Sequence, residues 1–556
     1  MSRAHAGVFI FLLFCAMAPA AFASDPNADA GRELERMEDK EKAGETDARL
    51  KSQEKIPSVE IMNAKTPDTA AGGSRFGVKR IHIEGNTVFS EDTLRKTISS
   101  WENRDLTLDE IRRAAETITQ YYLAAGYITC RAYIPPQKLT DGTVTIRILE
   151  GKLGEVRVRG GHPAARKNIE SFFSASKNKV IEYSKLLKGL SRAGLHPDRS
   201  VKAVVAPGDT LGTSDLALDI EDRFPLHLGA EINNYGTRLT GRERYNLSLR
   251  HTNLFGWDDI FAGRLQAGEE VFAGGLQTLL PVGDGLTKIG GTVNYTEVGV
   301  GQEFQDLNIE GTAFAWSLLA QRTLAETDPA DFTLTGSFES KSVDNTTLNI
   351  SVSRDELRLF HAGLDIDERD NLGRSFVTND FVFGVSAFGA SEKNSDRLSR
   401  SGSGAPFFIY RGNATRLHPV TGWLLLRMQI SGQWTSDGLV SSEQYDIGGI
   451  YTVRGYPQND YLADSGAGGN LEAQIPFFLF PDKIKLVAFF DGAYGKLNRP
   501  AAGENVSKTN FGAGGGMRFE LPGNWRGSFV WAAPFGNDTT DTKTSQFYFS
   551  VSCDFF

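Results

Sequence analysis

From about Pro225 to Phe556 the hydrophobic residues recur with a period of two, and no helical stretch interrupts that pattern. Tyr245, Leu247 and Leu249 alternate with Arg244, Asn246, Ser248 and Arg250; Leu426, Met428, Ile430 and Trp434 alternate with Arg427, Gln429, Ser431 and Gln433. At the end of the chain Phe547, Phe549, Val551, Cys553 and Phe555 oppose Gln546, Tyr548, Ser550, Ser552 and Asp554. Neighbouring side chains of a strand point to opposite faces, so each run reads as a strand with one apolar and one polar face. A soluble sandwich alternates too, but seldom over such a length without a helix or a second domain. A membrane barrel must, because lipid offers no partner for backbone N–H and C=O groups, and the sheet has to close with its apolar face outward. With spanning strands of about 10 residues plus turns, residues 224–556 suit roughly 16 antiparallel strands around a water-filled lumen.

Composition fits this without proving it. Gly 59 and Phe 36 stand against Met 6 and Cys 3, and the mean hydropathy is only −0.28, as for a chain whose strands are apolar on one face or for a large soluble β-protein. The formal net charge of −9 leaves no basic footprint for nucleic acid. Arg3 and His5 precede an apolar run from Ala6 to Ala18, and Ala21-Phe22-Ala23 has the small-x-small form of a signal-peptidase site, so residues 1–23 read as a secretory leader. The run is shorter than the roughly 20 residues a spanning helix needs. Cleavage after Ala23 leaves Cys130 and Cys553, in different predicted domains. A disulfide is not expected, zinc would have too few thiols, and both read as inert strand residues.

Residues 24–75 are charged and nearly free of aromatics. Arg32-Glu33-Leu34-Glu35-Arg36 and Asp39-Lys40-Glu41-Lys42 mix signs at helical spacing, which suits a solvated helix as well as plain disorder, followed by a linker through Thr66-Pro67-Asp68 and Gly72-Gly73-Ser74. A compact unit follows over 76–151. Val78 to Ile83 alternates as a strand; Ser90 and Thr107 are positioned to start helices, the second with Ile111, Ala114, Ala115, Ile118, Tyr121 and Tyr122 at a 3.6-residue period. Gly126 closes that helix, and strands follow at Ile128 to Ile134 and Val144 to Leu149. The β-α-α-β-β order recurs over 152–223, with strands at Val156 to Val158, Val201 to Val205 and Asp215 to Ile220 and helices at Ala165 to Phe173 and Tyr183 to Gly194.

Enzyme signatures are scarce: no G-x-S-x-G elbow, phosphate-binding loop or H-E-x-x-H motif occurs, so neither catalysis nor a metal or other cofactor is expected. Gly512-Ala513-Gly514-Gly515-Gly516 is followed by the strand-like Met517-Arg518-Phe519 rather than by a helix, which fits small residues in a crowded wall better than a nucleotide loop. One segment stands apart. In Thr452-Val453-Arg454-Gly455-Tyr456-Pro457 an arginine beside glycine suits a tight loop tip that offers a guanidinium fork to a carboxylate. A candidate acceptor is Asp491 in Phe489-Phe490-Asp491-Gly492, where an acid in an apolar strand needs the lumen and a cation.

Val453-Arg454-Gly455-Tyr456 resembles the VRGY motif of two-partner secretion transporters, the haemolysin secretion and activation family of the BamA/TpsB superfamily. The resemblance covers essentially the whole mature chain, and Tyr133-Ile134-Pro135-Pro136-Gln137 and Glu150-Gly151-Lys152-Leu153 are similar to the family's first POTRA domain and its junction with the second. It implies an N-terminal helix able to occupy the pore, two POTRA domains (76–151 and 152–223) in the periplasm and a 16-stranded outer-membrane barrel. The VRGY loop would join strands 11 and 12, and five candidate strands after Tyr456 complete sixteen, placing Asp491 on strand 13 as the loop arginine's partner. Ala493 departs from the family's final glycine there, and Phe556 matches the terminal aromatic with which many such barrels end. The implied function is export of one large unfolded exoprotein recognised at the POTRA domains, with outer-membrane lipid and the barrel-assembly machinery as further partners and a monomeric state. A BamA-like assembly factor is the alternative, though the bacterial type carries about five POTRA domains where about 150 residues are available here. A passive porin leaves both periplasmic modules unexplained.

Overall fold

The computed structural model describes residues 29–51, 58–61, 74–138, 141–327, 330–393, 395–536, 539–540 and 544–555; the expected leader and Phe556 lie outside them. The chain divides into two units. One comprises helix α1 (Asp29–Lys51) and the barrel. The other runs from strand β1 (Ser58–Ile61) to Pro225 and includes Phe255–Asp258.

The second unit holds two β-α-α-β-β modules. In the first, β2 (Phe76–Val78), β3 (Arg80–Glu84), α2 (Glu91–Ile98), β4 (Arg104–Leu106), α3 (Leu108–Ala124), β5 (Arg131–Tyr133) and β6 (Thr143–Leu149) give a sheet ordered β3-β6-β5, with β2 paired to β4. Ser90 caps α2, and a Thr107–Glu110 capping box starts α3, which buries Ile111, Ala114, Ala115, Ile118 and Tyr122. Two strands differ from expectation. The run from Val78 to Ile83 breaks at Lys79, because the N–H groups of Lys79 and Arg80 both donate to the Gly142 carbonyl, at 2.8 and 3.3 Å. The strand expected from Ile128 begins only at Arg131, since Cys130 N–H closes a turn onto the Tyr127 carbonyl at 3.2 Å. Cys130 therefore precedes a strand rather than lying in one; it is a buried free thiol, pushed up to about 12 by burial.

At the end of this module the Glu150 carboxylate accepts hydrogen bonds from Thr87 N–H (2.7 Å), Val88 N–H (3.0 Å), Tyr122 Oη (2.7 Å) and the Thr87 hydroxyl. Burial opposes its ionisation, but the bonds from Thr87, Val88 and Tyr122 outweigh it and hold the carboxyl below the usual range. The second module comprises β7 (Lys152–Gly160), α4 (Pro163–Ser171), α5 (Tyr183–Ala193), β8 (Arg199–Pro207) and β9 (Thr213–Asp222), around a separate core that includes Phe173, Leu190, Ala203, Leu216 and Leu218. Its sheet gains a fourth strand from the linker, in the order β1-β8-β9-β7.

The barrel is closed and antiparallel: β10 (Leu226–Asn233), β11 (Arg244–His251), β12 (Ile260–Ala267), β13 (Val271–Val282), β14 (Thr287–Gly299), β15 (Glu310–Thr327), β16 (Ala330–Thr347), β17 (Ile350–Asp370), β18 (Gly373–Gly384), β19 (Phe407–Thr421) and β20 (Leu424–Trp434). After a long loop with its own ribbon, β21 (Tyr445–Ile447) paired to β22 (Tyr461–Ala463), the wall resumes with β23 (Ser465–Pro476), β24 (Ile484–Lys496), β25 (Ser507–Leu521), β26 (Trp525–Gly536) and β27 (Gln546–Asp554). Outward residues such as Leu247, Ile430 and Phe547 are exposed, and phenylalanines pack along the outer face, Trp316 on Phe338 and Phe338 on Phe360. Each of the sixteen strands pairs with its neighbour in the chain, and β27 closes the ring on β10. That closing ladder has five residue pairs, Gly229↔Asp554 to Asn233↔Ser550, fewer than β10 makes with β11. The run at Gly512–Gly516 lies within β25 rather than ahead of a strand.

Candidate functional site

The first and eleventh barrel strands, β10 and β20, run in the same direction, so the connection after β20, residues 435–464, emerges at the barrel end away from the start of β10 and folds back into the lumen. Two acidic residues latch its base. The Asp464 carboxylate accepts from Arg400 (2.7 Å), the Leu439 and Asn498 N–H groups (3.1 and 2.7 Å) and Gln444 (3.1 Å). Asp460 accepts from Lys508 (2.6 Å), Asn510 (2.8 Å), and the Thr540 N–H and hydroxyl (both 2.9 Å).

The structure brings Arg454 and Asp491 together at the tip. The Arg454 guanidinium donates to both Asp491 carboxylate oxygens, from Nε at 2.7 Å and from Nη2 at 2.8 Å, and the Arg454 backbone N–H donates to the same group at 3.1 Å. Its remaining nitrogen, Nη1, donates to Glu472 on β23 at 2.8 Å. Glu472 is held from its other side by Arg518 on β25, at 3.0 Å to each oxygen. The Arg454 guanidinium carbon also lies 3.4 Å from the centre of the Phe489 ring. Two buried acids thus face two arginines, which is how full charges persist away from bulk water. Val453 and Tyr456 are fully buried, and the Tyr548 hydroxyl accepts from Gly455 N–H (3.2 Å) and donates to the Tyr456 carbonyl (3.1 Å).

Two glycines make this approach sterically feasible. Gly455 has a φ of +104°, and a Cβ there would lie 2.8 Å from the Ala533 carbonyl carbon; a Cβ on Gly512 would lie 2.0 Å from the Arg454 carbonyl oxygen. Ala493, at the position where the family motif ends in glycine, is accommodated as a buried residue of the loop-packing cluster. Glu472 and Arg518 were not singled out in the sequence. The signal was available, because each is a charge on the inward phase of an alternating strand, the feature that marks Asp491.

Helix α1 lies in the same lumen. Its side chains meet strands around the ring: Glu33 reaches Arg244 on β11 (3.5 Å) and Gln266 on β12 (2.6 Å), Glu38 Asn294 on β14 (3.0 Å), Lys40 Glu231 on β10 (2.8 Å) and Asp47 Arg427 on β20 (3.2 Å). Only an interior position touches both sides of a closed wall. The expectation of a solvated helix is therefore wrong: Arg32 and Glu33 are 4% and 7% exposed. A polar lumen supplies ionic partners, so burial here leaves no apolar stripe to read. Helix and loop also meet. Arg32 donates to the Gln444 carbonyl, and Lys341 and Arg411 are shared between loop Glu443 (2.8 and 2.9 Å) and helix Glu35 (3.9 and 3.5 Å).

The model of the haemolysin secretion/activation protein ShlB/FhaC/HecB matches residues 212–519, and that of the ShlB-type POTRA domain matches residues 76–151. The outer membrane transporter CdiB of Escherichia coli is 25% identical over 504 residues, covering 86% of this chain and 82% of that protein. The heme/hemopexin transporter protein HuxB of Haemophilus influenzae (strain 86-028NP) is 22% identical over 513 residues, covering 89% and 91%. The solved structure of CdiB from Escherichia coli superposes with a TM-score of 0.70 at 22% identity, covering 97% of this chain and 100% of that one. With a family model matched over more than half of its length, the chain belongs to the ShlB/FhaC/HecB haemolysin secretion/activation family, as a two-partner secretion transporter of the outer membrane with its POTRA domains in the periplasm.

Proposed function

We propose that the protein recognises one large exoprotein at its POTRA domains and exports it unfolded through the barrel to the cell surface. The observation that carries this reading is the loop tip seated in the lumen on Asp491 and Glu472, beside a helix that fills the same space. A pore obstructed by two elements held through polar contacts suits a channel that opens only for its cargo. Hydrogen bonds and ion pairs can be exchanged for water as the lumen hydrates, whereas a packed apolar plug could not be withdrawn so cheaply. The sequence carries no nucleotide-binding motif, and directionality comes from folding of the cargo outside. Cargo is captured in extended form at an exposed sheet edge of a POTRA domain, where main-chain hydrogen bonds supply affinity.

Secretion and planar-bilayer conductance of Arg454→Ala and Asp491→Ala test this. Both variants are expected to assemble as barrels, show altered channel activity and lose export of the partner; normal export by both would remove the loop from the mechanism. A second reading, insertion of other barrel proteins through a parted wall, is favoured by the short ladder between β10 and β27.

A further inference from the structure

The two ends of the second POTRA module expose different side chains. Strands β7 and β9 run parallel, with Gly160 beside Ile220, and β8 returns antiparallel, with Arg199 beside Asp222. The end of β7, the start of β8 and the end of β9 therefore share one pole, from which the chain passes through Arg223, Phe224 and Pro225 into β10. Phe255–Asp258 belong to this unit too. Asp258 accepts from both Arg199 Nη atoms, at 2.8 and 2.7 Å, and a Cβ on Gly256 would lie 2.3 Å from the His162 ring. Those four residues come from the turn between β11 and β12, and so from the periplasmic end of two strands that span the membrane. Four large apolar side chains stand exposed at this pole. Leu195 is 60% exposed, Phe224 66%, and Phe255 and Trp257 61% each, the last two with rings 6.3 Å apart. The β8–β9 hairpin at the opposite pole exposes a single such residue, Leu211, among its described residues.

Such exposure is unfavourable in water and suits a bilayer boundary, where aromatic side chains sit at headgroup depth. The charges at this pole are sorted to match. Arg199, itself buried, takes up Asp222 through Nε at 2.8 Å as well as Asp258, which masks two acids that a phosphate-rich surface would repel. Glu221 is matched by Lys202 at 3.3 Å. Arg223, beside Phe224, stays exposed, as does Lys167, one turn into α4. We infer that this pole of the second module is a lipid-binding surface. Leu195 and Phe224 join Phe255 and Trp257 in the headgroup layer of the periplasmic leaflet, and Arg223 and Lys167 meet phospholipid phosphates. Two observations favour lipid over a protein partner. The chain itself joins this surface, through the β11–β12 turn, to strands that face lipid, and cations beside aromatic residues are the combination an interfacial site uses. The contact fixes the module's height over the bilayer by its own side chains, in addition to the chain's passage into β10.

The test uses the full mature chain in phospholipid nanodiscs, with an environment-sensitive nitrobenzoxadiazole label on Leu195→Cys or, at the opposite pole, on Leu211→Cys. Cys130 and Cys553 are buried and stay unlabelled in the folded protein. Phospholipids that carry a spin label just below the headgroup quench the dye where it meets the leaflet. With these lipids, emission at position 195 is expected to fall at least two-fold and to shift to the blue, while emission at position 211 does not change. Adding Phe224→Asp/Trp257→Asp to the Leu195→Cys protein should abolish the quenching, with heat-modifiable migration in gels confirming that the barrel has formed. Adding Lys167→Gln/Arg223→Gln instead should weaken it while leaving the apolar residues in place. Equal quenching at both positions, or none at position 195, overturns the inference whatever the variants do. A label at position 195 that ignores lipid but is shielded by an added, permanently unfolded polypeptide assigns the pole to protein docking, and overturns it as well.

Discussion

Arg454 holds two carboxylates at once, and this sets what its replacements can do. Asp491→Asn removes one charge but leaves Arg454 bonded to Glu472, whereas Arg454→Ala leaves Asp491 without its guanidinium and Glu472 with Arg518 as its remaining cation. Removing one partner of a buried pair costs about 3–5 kcal/mol, because the other charge stays buried unpaired. Arg454→Ala should therefore free the loop more completely than Asp491→Asn, read as faster proteolysis at sites engineered into the loop. Arg454→Lys should not rescue it, since an ammonium cannot span both acids as the guanidinium fork does; a rescued lysine variant would show that charge alone matters. At the other end of the chain, Glu150 makes a prediction about pH. Its carboxyl lies below the usual range when folded, so its contribution to stability is present above the unfolded-state value and is lost as pH falls through the folded one. Glu150→Gln should destabilise the first POTRA module by about 1–3 kcal/mol at neutral pH. The deficit should shrink below about pH 4, where the native carboxyl also gains its proton. Urea denaturation followed by Trp101 fluorescence checks this, and a deficit independent of pH would assign the loss to shape rather than charge.

At the scale of elements, helix α1 and the loop at 435–464 are linked by the cations they share. Lys341 on β16 serves Glu443 of the loop and Glu35 of the helix. Lys341→Met should unsettle both, raising spontaneous conductance several-fold and exposing the loop to protease. Glu35→Gln removes only the helix's part in the cluster, and should raise conductance while the loop stays protected by Glu443 on Arg411. If the two variants behave alike, the helix and loop do not respond separately. These elements were unequally legible in the sequence. The wall strands could be counted because lipid on one side and water on the other force alternation on every one of them. The placement of α1 could not be read from its own residues, since a helix buried among Arg244, Lys341 and Arg411 carries the same mixed charges as one in solvent; only the family resemblance implied a helix able to occupy the pore. Strand β1 was hidden for another reason: Ser58–Ile61 is too short to show a period, and its strand state depends on β8, more than a hundred residues away. Of the ion cluster at the loop tip, Arg454 and Asp491 were visible through their unusual neighbours, but Glu472 and Arg518 belong to ordinary alternating strands, and only the register of β23 and β25 on either side of β24 brings them together.

For the whole molecule the question is whether a polypeptide passes along the barrel axis or between its first and last strands. The β10–β27 ladder is the natural place for a lateral opening, having five pairs, and it contains a built-in probe: native Cys553 lies directly opposite Ala230. Opposed residues of antiparallel strands have Cα atoms about 4.5–5.5 Å apart, within the span a disulfide bridges. Ala230→Cys should therefore form a cystine with Cys553 under oxidising conditions and fix the wall shut, and because Cys130 is buried in a separate domain the pairing has no competitor among the described cysteines. Axial export requires no parting of the wall, so secretion of the partner by the oxidised variant should match that of the same protein after reduction. An assembly factor that works through its seam would lose activity on oxidation and recover it with reductant. Loss of secretion confined to the oxidised form would thus place the export route at the seam between β10 and β27, whereas unimpaired secretion leaves the lumen, with its helix and its arginine-held loop, as the route that must open.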